Sequence, residues 1–303
     1  MANVRQIRKR LRAVRNIRTI TKTLQTISAS RLHRIHAHQV AIRPVVEALN
    51  KSLRSLVAAT GPQAHPLLRE GQGNVCAVIL ASSDRSMCGG YNTRAVDSAL
   101  ETAAELVRSG KKVRLFLIGK KGTFLLRARL TRPRDGPPLG EEALAPPHLT
   151  APAFEERRLY QQVSELSGKL CEAFMAGELA SAHVVRMRII SQGSPRPAVD
   201  RILPVPVEPA GPDQAPQHDF YPDAQAVLES LLPMAVRVRL LACFIEAGVS
   251  ENTARLTAMS AATHNADDMT RKLTMDMNRA RQGRITSELA EIVGGADAVE
   301  GKR

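Results

Sequence analysis

The sequence predicts an α/β protein: a central α/β domain carries a long antiparallel coiled coil made by the N- and C-terminal helices. Three observations predict it. Residues 3–43 contain neither glycine nor proline, and residues 234–292 contain no proline and only Gly248 and Gly283. Between these stretches, short apolar runs alternate with helical patterns as βαβ units do. At about 1.5 Å rise per residue the terminal stretches span roughly 60 and 90 Å, beyond the globular norm. Their charge excludes a membrane span.

The N-terminal helix is assigned to residues 1–60. Val4, Ile7, Leu11, Val14, Ile17, Ile20, Leu24, Ile27 and Ile35 recur mostly at steps of three and four, close to a heptad seam. The rest of its surface is basic. Before Glu47 there is no acidic residue, whereas Arg5, Arg8, Lys9, Arg10, Arg12, Arg15, Arg18, Lys22, Arg31, Arg34 and Arg43 all occur. Like charges over so many turns repel one another, so an acidic partner is expected.

The central domain is assigned to residues 70–210. Runs at 75–80 and 113–118 have strand length, and a helical pattern at 93–107 separates them, as in a Rossmann-like parallel unit. A helix is expected at 157–176 and strands at 182–191 and 199–207. Proline-rich stretches at 132–152 and 204–222 read as exposed loops or partly disordered insertions.

The C-terminal helix, residues 222–293, repeats the seam through Val238, Leu241, Ile245, Val249, Leu256, Met259, Ala266, Met269, Leu273, Met277, Ile285, Leu289 and Ile292. Small residues at Ala258, Ala261, Ala262 and Ala266 permit close helix approach. Gly294 and Gly295 are expected to stop the helix and leave a tail at 294–303. Equal rise in an antiparallel pair sets the N-terminus opposite about residue 281. Beyond that point Ile285, Leu289, Ile292 and Val293 form an apolar face with no helix of this chain to cover it, so another protein must sheathe it.

The net charge of +14 calls for an acidic partner, yet aromatics are only 3% with no tryptophan, so platforms for stacking bases are scarce. Cys76, Cys88, Cys171 and Cys243 are scattered, without CxxC or zinc spacing, and read as reduced buried thiols; neither a disulfide nor a metal site is expected. No run approaches the roughly 18 apolar residues of a membrane helix, and the start lacks a secretory segment. The Gly89-Gly90 turn lacks both GxGxxG and GxxxxGK[ST] spacing, so it reads as a tight turn with positive φ and not as a nucleotide cradle. No acid, base and nucleophile constellation is discernible.

Three motifs carry a family resemblance. The first is Val14-Arg15-Asn16-Ile17-Arg18-Thr19-Ile20-Thr21-Lys22-Thr23-Leu24, followed by Ser28-Ala29-Ser30-Arg31-Leu32. The second is Ser83-Asp84-Arg85-Ser86-Met87-Cys88-Gly89-Gly90-Tyr91-Asn92. The third runs from Ser250-Glu251 through Ala254-Arg255 and Ala261-Ala262-Thr263 to Asn278-Arg279-Ala280-Arg281-Gln282 and Ile285-Thr286-Ser287-Glu288-Leu289-Ala290-Glu291-Ile292-Val293-Gly294-Gly295-Ala296. In this order and over nearly the whole chain, they resemble the γ subunit of F-type ATP synthase.

The resemblance implies a central-stalk rotor, present in one copy, whose coiled coil turns inside a hexamer of α and β subunits. The central domain would lie near the ε subunit and the membrane c-ring. Rotation would couple ion flow to ATP synthesis or hydrolysis. No active site, cofactor or metal of its own is implied, and no nucleic acid. By position, Arg255, Gln282 and Thr286 match residues that contact β subunits, Arg279, Arg281 and Glu288 share the tip motif, and Lys22 and Leu24 match the helix region beside an acidic β-subunit lever. Asp84, Arg85, Cys88, Gly89 and Gly90 match the family's turn. Replacing Arg255 or Gln282 is expected to lower coupled activity with little loss of fold. The pattern begins within the first ten residues, which implies no transit peptide and a peripheral protein at the cytoplasmic face of a bacterial plasma membrane. Thr19, Leu24, Ser86, His264 and Met277 depart from the usual family residues and suggest a divergent member. The alternatives are a sodium-pumping variant and, from another class, a basic coiled-coil protein that binds nucleic acid through its phosphates.

Overall fold

The computed structural model describes residues 4–131, 143–145, 149–153, 155, 157–189, 195–207 and 220–300. Most of the two proline-rich stretches lies outside the described residues. The chain divides into two compact units. One comprises the residues up to Ser28 with those from Leu256 onward, and the other comprises Ala29–Arg255.

In the larger unit five strands form one sheet: β1 (Val75–Ala81), β2 (Lys112–Ile118), β3 (Leu149–Ala151), β4 (Leu179–Ile189) and β5 (Pro195–Leu203), in the order β3-β2-β1-β4-β5. β1 pairs in parallel with β2 and β4, β2 pairs in parallel with β3, and β5 returns antiparallel to β4. β1 is central and buried along almost its whole length, which explains its continuous apolar run where an edge strand would alternate. Ala77, Ile79, Phe116, Ile118 and Val184 face one core with α4 (Leu159–Met175) and parts of α1 (Val4–Thr60) and α5 (Ala224–Glu300). Val78, Leu80, Leu115, Leu117 and Met187 face a second core with α2 (Tyr91–Arg108) and α3 (Lys120–Thr131).

Three differences from the sequence reading have physical causes. β3 lies inside the stretch expected to be loop; at three residues it is too short for periodicity to show. α3 has a weak apolar pattern, with Phe124 exposed and Gly122 and Leu126 buried. Third, α5 does not stop at Gly294 and Gly295: its helical backbone runs to Glu300. Glycine inside a helix costs only about 1 kcal/mol against alanine, and no proline follows to end it.

α1 is 57 residues long and passes through Pro44; α5 is 77 residues long and contains Pro233. Each proline removes one helical hydrogen bond, and buried leucines nearby hold the helices: Leu49, Leu53 and Leu56 in α1, Leu228 and Leu232 in α5. α5 starts where Asp223 Oδ1 accepts the Ala226 N–H at 2.8 Å, an N-cap. α1 ends at Gly61, whose φ of 90° closes the last turn with a 2.8 Å bond from its N–H to Val57 O.

The smaller unit is an antiparallel helix pair. Ile7, Leu11 and Val14 of α1 are buried, as are Met259, Thr263 and Ala266 of α5. Beyond Val14 the expected seam is corrected: Ile17, Ile20 and Ile27 are exposed, and Thr21 and Ser28 take the buried positions. The steps from Ile7 to Leu11, Val14, Thr21 and Ser28 keep the heptad register, from which Ile17, Ile20 and Leu24 are each displaced by one residue. Geometry thus outweighs hydrophobicity, and the hydroxyls adapt. The Thr21 and Thr263 hydroxyls lie 2.8 Å apart, and each side chain also reaches a helix carbonyl, Arg18 O and Met259 O. Arg18 pairs with Asp267 one turn away, and this hydrogen bond holds the Asp267 carboxyl below its usual range. On α5, Met269 is likewise off the seam and exposed.

Candidate functional site: a filled crevice and a bare helix tip

Open parallel sheets bind ligands in the crevice beyond the carboxyl ends of their strands. In the larger unit that position is occupied by the chain itself. Ala81 and Ser82 at the end of β1, Ile118 at the end of β2, and Tyr91 meet Phe244, Ala247, Gly248 and Glu251 of α5, with Ile35 and His38 of α1 beside them; the remaining cavity is about 90 Å³. Tyr91 is fully buried and its hydroxyl donates to Ala247 O at 3.2 Å. Burial raises the phenol pKa well above its ordinary value, so it serves as a fixed donor.

The turn after β1 holds this arrangement. Asp84 Oδ1 accepts the N–H groups of Lys120 at 2.9 Å and Ala153 at 2.8 Å, tying three loops at the carboxyl edge. Asn92 Oδ1 accepts the Ser83 N–H at 3.0 Å, while its Nδ2 donates to Ser83 Oγ at 2.8 Å and to Cys88 Sγ at 3.3 Å. Cys88 is buried. Gly89 has φ 58°, where a side chain would be strained, while Gly90 is the N-cap of α2 at φ −81°. Met87, with φ 66°, shares the left-handed conformation. The motif is a brace for the carboxyl edge.

Arg255 is held inside the larger unit. It is 6% exposed, its Nη2 lies 2.7 Å from Glu251 Oε1, and it donates to Arg85 O at 3.3 Å. Close by, the Arg31 guanidinium has its pKa lowered by burial and by the charges of Arg85 and Arg255, with Glu251 opposing them. Arg85 itself is exposed. Three guanidiniums around one carboxylate leave an unbalanced positive field. A second charged group lies on β4: Arg186 Nη1 donates to Glu246 Oε2 of α5 at 2.5 Å, and Arg186 Nε stands 2.8 Å from Asp200 Oδ2 of β5, off hydrogen-bond alignment. Desolvation pulls the Arg186 pKa down, but Cys243, Asp200 and Glu246 outweigh it and the net shift is upward. This group had no signal in the sequence, because its members come from three elements.

In the smaller unit the tip is bare. The pairs Thr21 with Thr263 and Arg18 with Asp267 fix the antiparallel register, and extending it places Val4 opposite about residue 280. The side chains of residues 281–293 are all exposed. They include Ile285 at 46%, Leu289 at 57%, Ile292 at 68% and Val293 at 58% exposure. Arg279, Arg281, Gln282, Thr286 and Glu288 all sit on this tip or at its base; Thr286 donates to Gln282 O at 3.0 Å, and Arg284 pairs with Glu288 at 3.1 Å. Lys22 is exposed and Leu24 half-buried on the paired part of α1. The predicted residues therefore do not converge on one site: the turn and Arg255 belong to the brace, and the remainder to the helix pair and its tip.

A sheet whose ligand crevice is filled by its own helix, and whose helix ends in an uncovered apolar face, defines a mechanical subunit of a larger assembly. The family model described as ATP synthase matches residues 3–299. The chain is 35% identical to the ATP synthase gamma chain of Frankia casuarinae, over 98% of this chain and 97% of the relative. It is 33% identical to that of Saccharopolyspora erythraea, over 99% and 98%. Its fold is similar to a chain of the Euglena gracilis mitochondrial ATP synthase with a TM-score of 0.64 at 17% identity, covering 99% of this chain and 96% of that one. The chain belongs to the ATP synthase gamma chain family.

Among the described residues no helix is long and apolar enough to cross a membrane.

Proposed function

We propose that this chain is the central-stalk rotor of an F-type ATP synthase, with no catalytic site of its own, turning within a hexamer of α and β subunits. The observation that carries the reading is the tip: residues 281–293 present an apolar helical face that nothing in the smaller unit covers, and only a surrounding sleeve removes that surface from water. Family membership displaces the nucleic-acid reading of the basic charge. The acid-free surface of α1 before Glu47 and the exposed Arg85 guanidinium face acidic levers of the catalytic subunits. Because one asymmetric shaft meets three chemically identical subunits, it contacts each differently and so biases their nucleotide affinities apart. The larger unit takes the drive near ε and the c-ring, which places the protein on the membrane through the complex, at the cytoplasmic face in a bacterium. The test is co-purification from the native host through a tag on this chain. Recovery of two nucleotide-binding subunits in three copies each, with ATP-driven rotation of the tag, is expected. Recovery of the chain alone, binding duplex DNA with an affinity that survives about 0.2 M salt, would overturn the reading.

A further inference from the structure

We propose that Arg186 keys α5 to the sheet and is thereby a positioning residue for torque transfer within the larger unit; the proposal rests on the rotor reading above. The α5 residues buried in the core that it shares with the sheet are apolar, among them Leu228, Leu232, Val236, Leu240, Phe244 and Ala247. Such surfaces accept shifts at small cost, because hydrophobic contact is non-directional. A helix loaded along or about its axis therefore needs a directional contact to hold register. Arg186, 4% exposed on β4, supplies one by bridging Glu246 of α5 and Asp200 of β5, with Arg188 Nε a further 3.7 Å contact to Glu246.

The sequence around Glu246 makes the key specific to one register. One turn away on either side stand Ala242, Cys243, Val249 and Ser250, so a slip by one turn, about 5.4 Å, brings no carboxylate to Arg186. The next acid on α5, Glu251, is already engaged by Arg255. A slipped helix would leave a buried guanidinium without its α5 partner, which strongly disfavours it. Buried ion pairs do little for net stability but can specify register, and a rotor needs register held under load.

The experiment uses the whole complex in inverted membrane vesicles, with ATP-driven ion uptake read as membrane potential alongside ATP hydrolysis. Arg186→Met keeps the aliphatic bulk and removes the charge; Glu246→Gln keeps Arg186 neutralised by Asp200 and serves if the first variant does not fold. Both variants should show the wild-type ratio of uptake to hydrolysis at low opposing potential. As the opposing potential rises, that ratio should fall below wild type by roughly two-fold or more, the lower end of what a single coupling residue changes. Single-molecule rotation under viscous load should show a softer rotor. Unchanged ratios and stiffness under load in a folded variant, or a uniform loss of both activities that tracks a lower melting temperature, would make Arg186 structural only and overturn the proposal. Failure of the rotor reading is distinct, since then the wild-type complex would not rotate.

Discussion

Replacing Ile285, Leu289 and Ile292 together by alanine tests the tip directly. Each truncation removes about three carbons, roughly 2.4 kcal/mol of transfer free energy if the side chain goes from full exposure to full burial, at about 0.8 kcal/mol per carbon. The three are 46%, 57% and 68% exposed in the chain alone, so about half of that remains to be gained from a sleeve. The loss is then about 1 kcal/mol each and about 3–4 kcal/mol together, which weakens association roughly 100- to 1,000-fold at 1.4 kcal/mol per decade. Alanine has the higher helix propensity, so the isolated chain should keep its helical circular dichroism and its melting temperature. The assay is a paired one: thermal unfolding of the isolated chain, and titration into α and β subunits followed by size-exclusion chromatography. Undiminished assembly would refute the sleeve argument. A marked fall in melting temperature would show that the tip is packed within its own chain.

The burial of Arg255 reverses the sequence-based expectation of little loss of fold: Arg255→Ala should cost about 3 kcal/mol in denaturant unfolding, because it strands Glu251 and the Arg85 carbonyl in a site where the arginine is only 6% exposed; a cost below about 1 kcal/mol would return Arg255 to the role of a pure partner contact. Asp84→Ala should destabilise by about 2 kcal/mol through loss of an acceptor for two backbone N–H groups, and Asp84→Asn, which keeps an oxygen there, by much less; equal losses would contradict the bracing role. His65 and His183 have pKa values lowered chiefly by burial, and His65 Nδ1 must stay unprotonated to accept the Leu67 N–H at 3.1 Å. Their folded values lie below the unfolded ones, so their contribution is complete above about pH 6.5 and is lost as pH falls through the lowered values. Melting temperatures measured from pH 8 to pH 5 should fall, and His65→Asn should flatten the slope.

The long helices, the order of β1, α2 and β2, and the approximate positions of α4, β4 and β5 were legible because each depends on local periodicity of adequate length. The tip was legible for a simpler reason: rise per residue is universal, so the expected N-terminal register near residue 281 and the structural value near 280 follow from the same geometry. The isoleucines show the limit. Hydrophobicity pointed to Ile17 and Ile20, but which face is buried is decided by the partner helix, and that choice left Thr21 and Ser28 inside. Arg255 was similarly opaque, since burial of an arginine is visible only once Glu251 and the turn at Arg85 close on it. The Arg186 group could not be seen at all, because its residues are distant in sequence and individually ordinary.

The filled crevice also sets what this domain can answer to. A small molecule seeking the carboxyl edge of the sheet must expel Phe244 to Glu251, a segment tethered in place. Tethering over short spans corresponds to effective concentrations of about millimolar or more even before packing is counted. At the carboxyl edge of the sheet any small molecule therefore competes with a segment of the same chain that never dissociates. A displacement of α5 is felt at that edge directly, through Tyr91 and its bond to Ala247 O, much as a gear answers through its teeth.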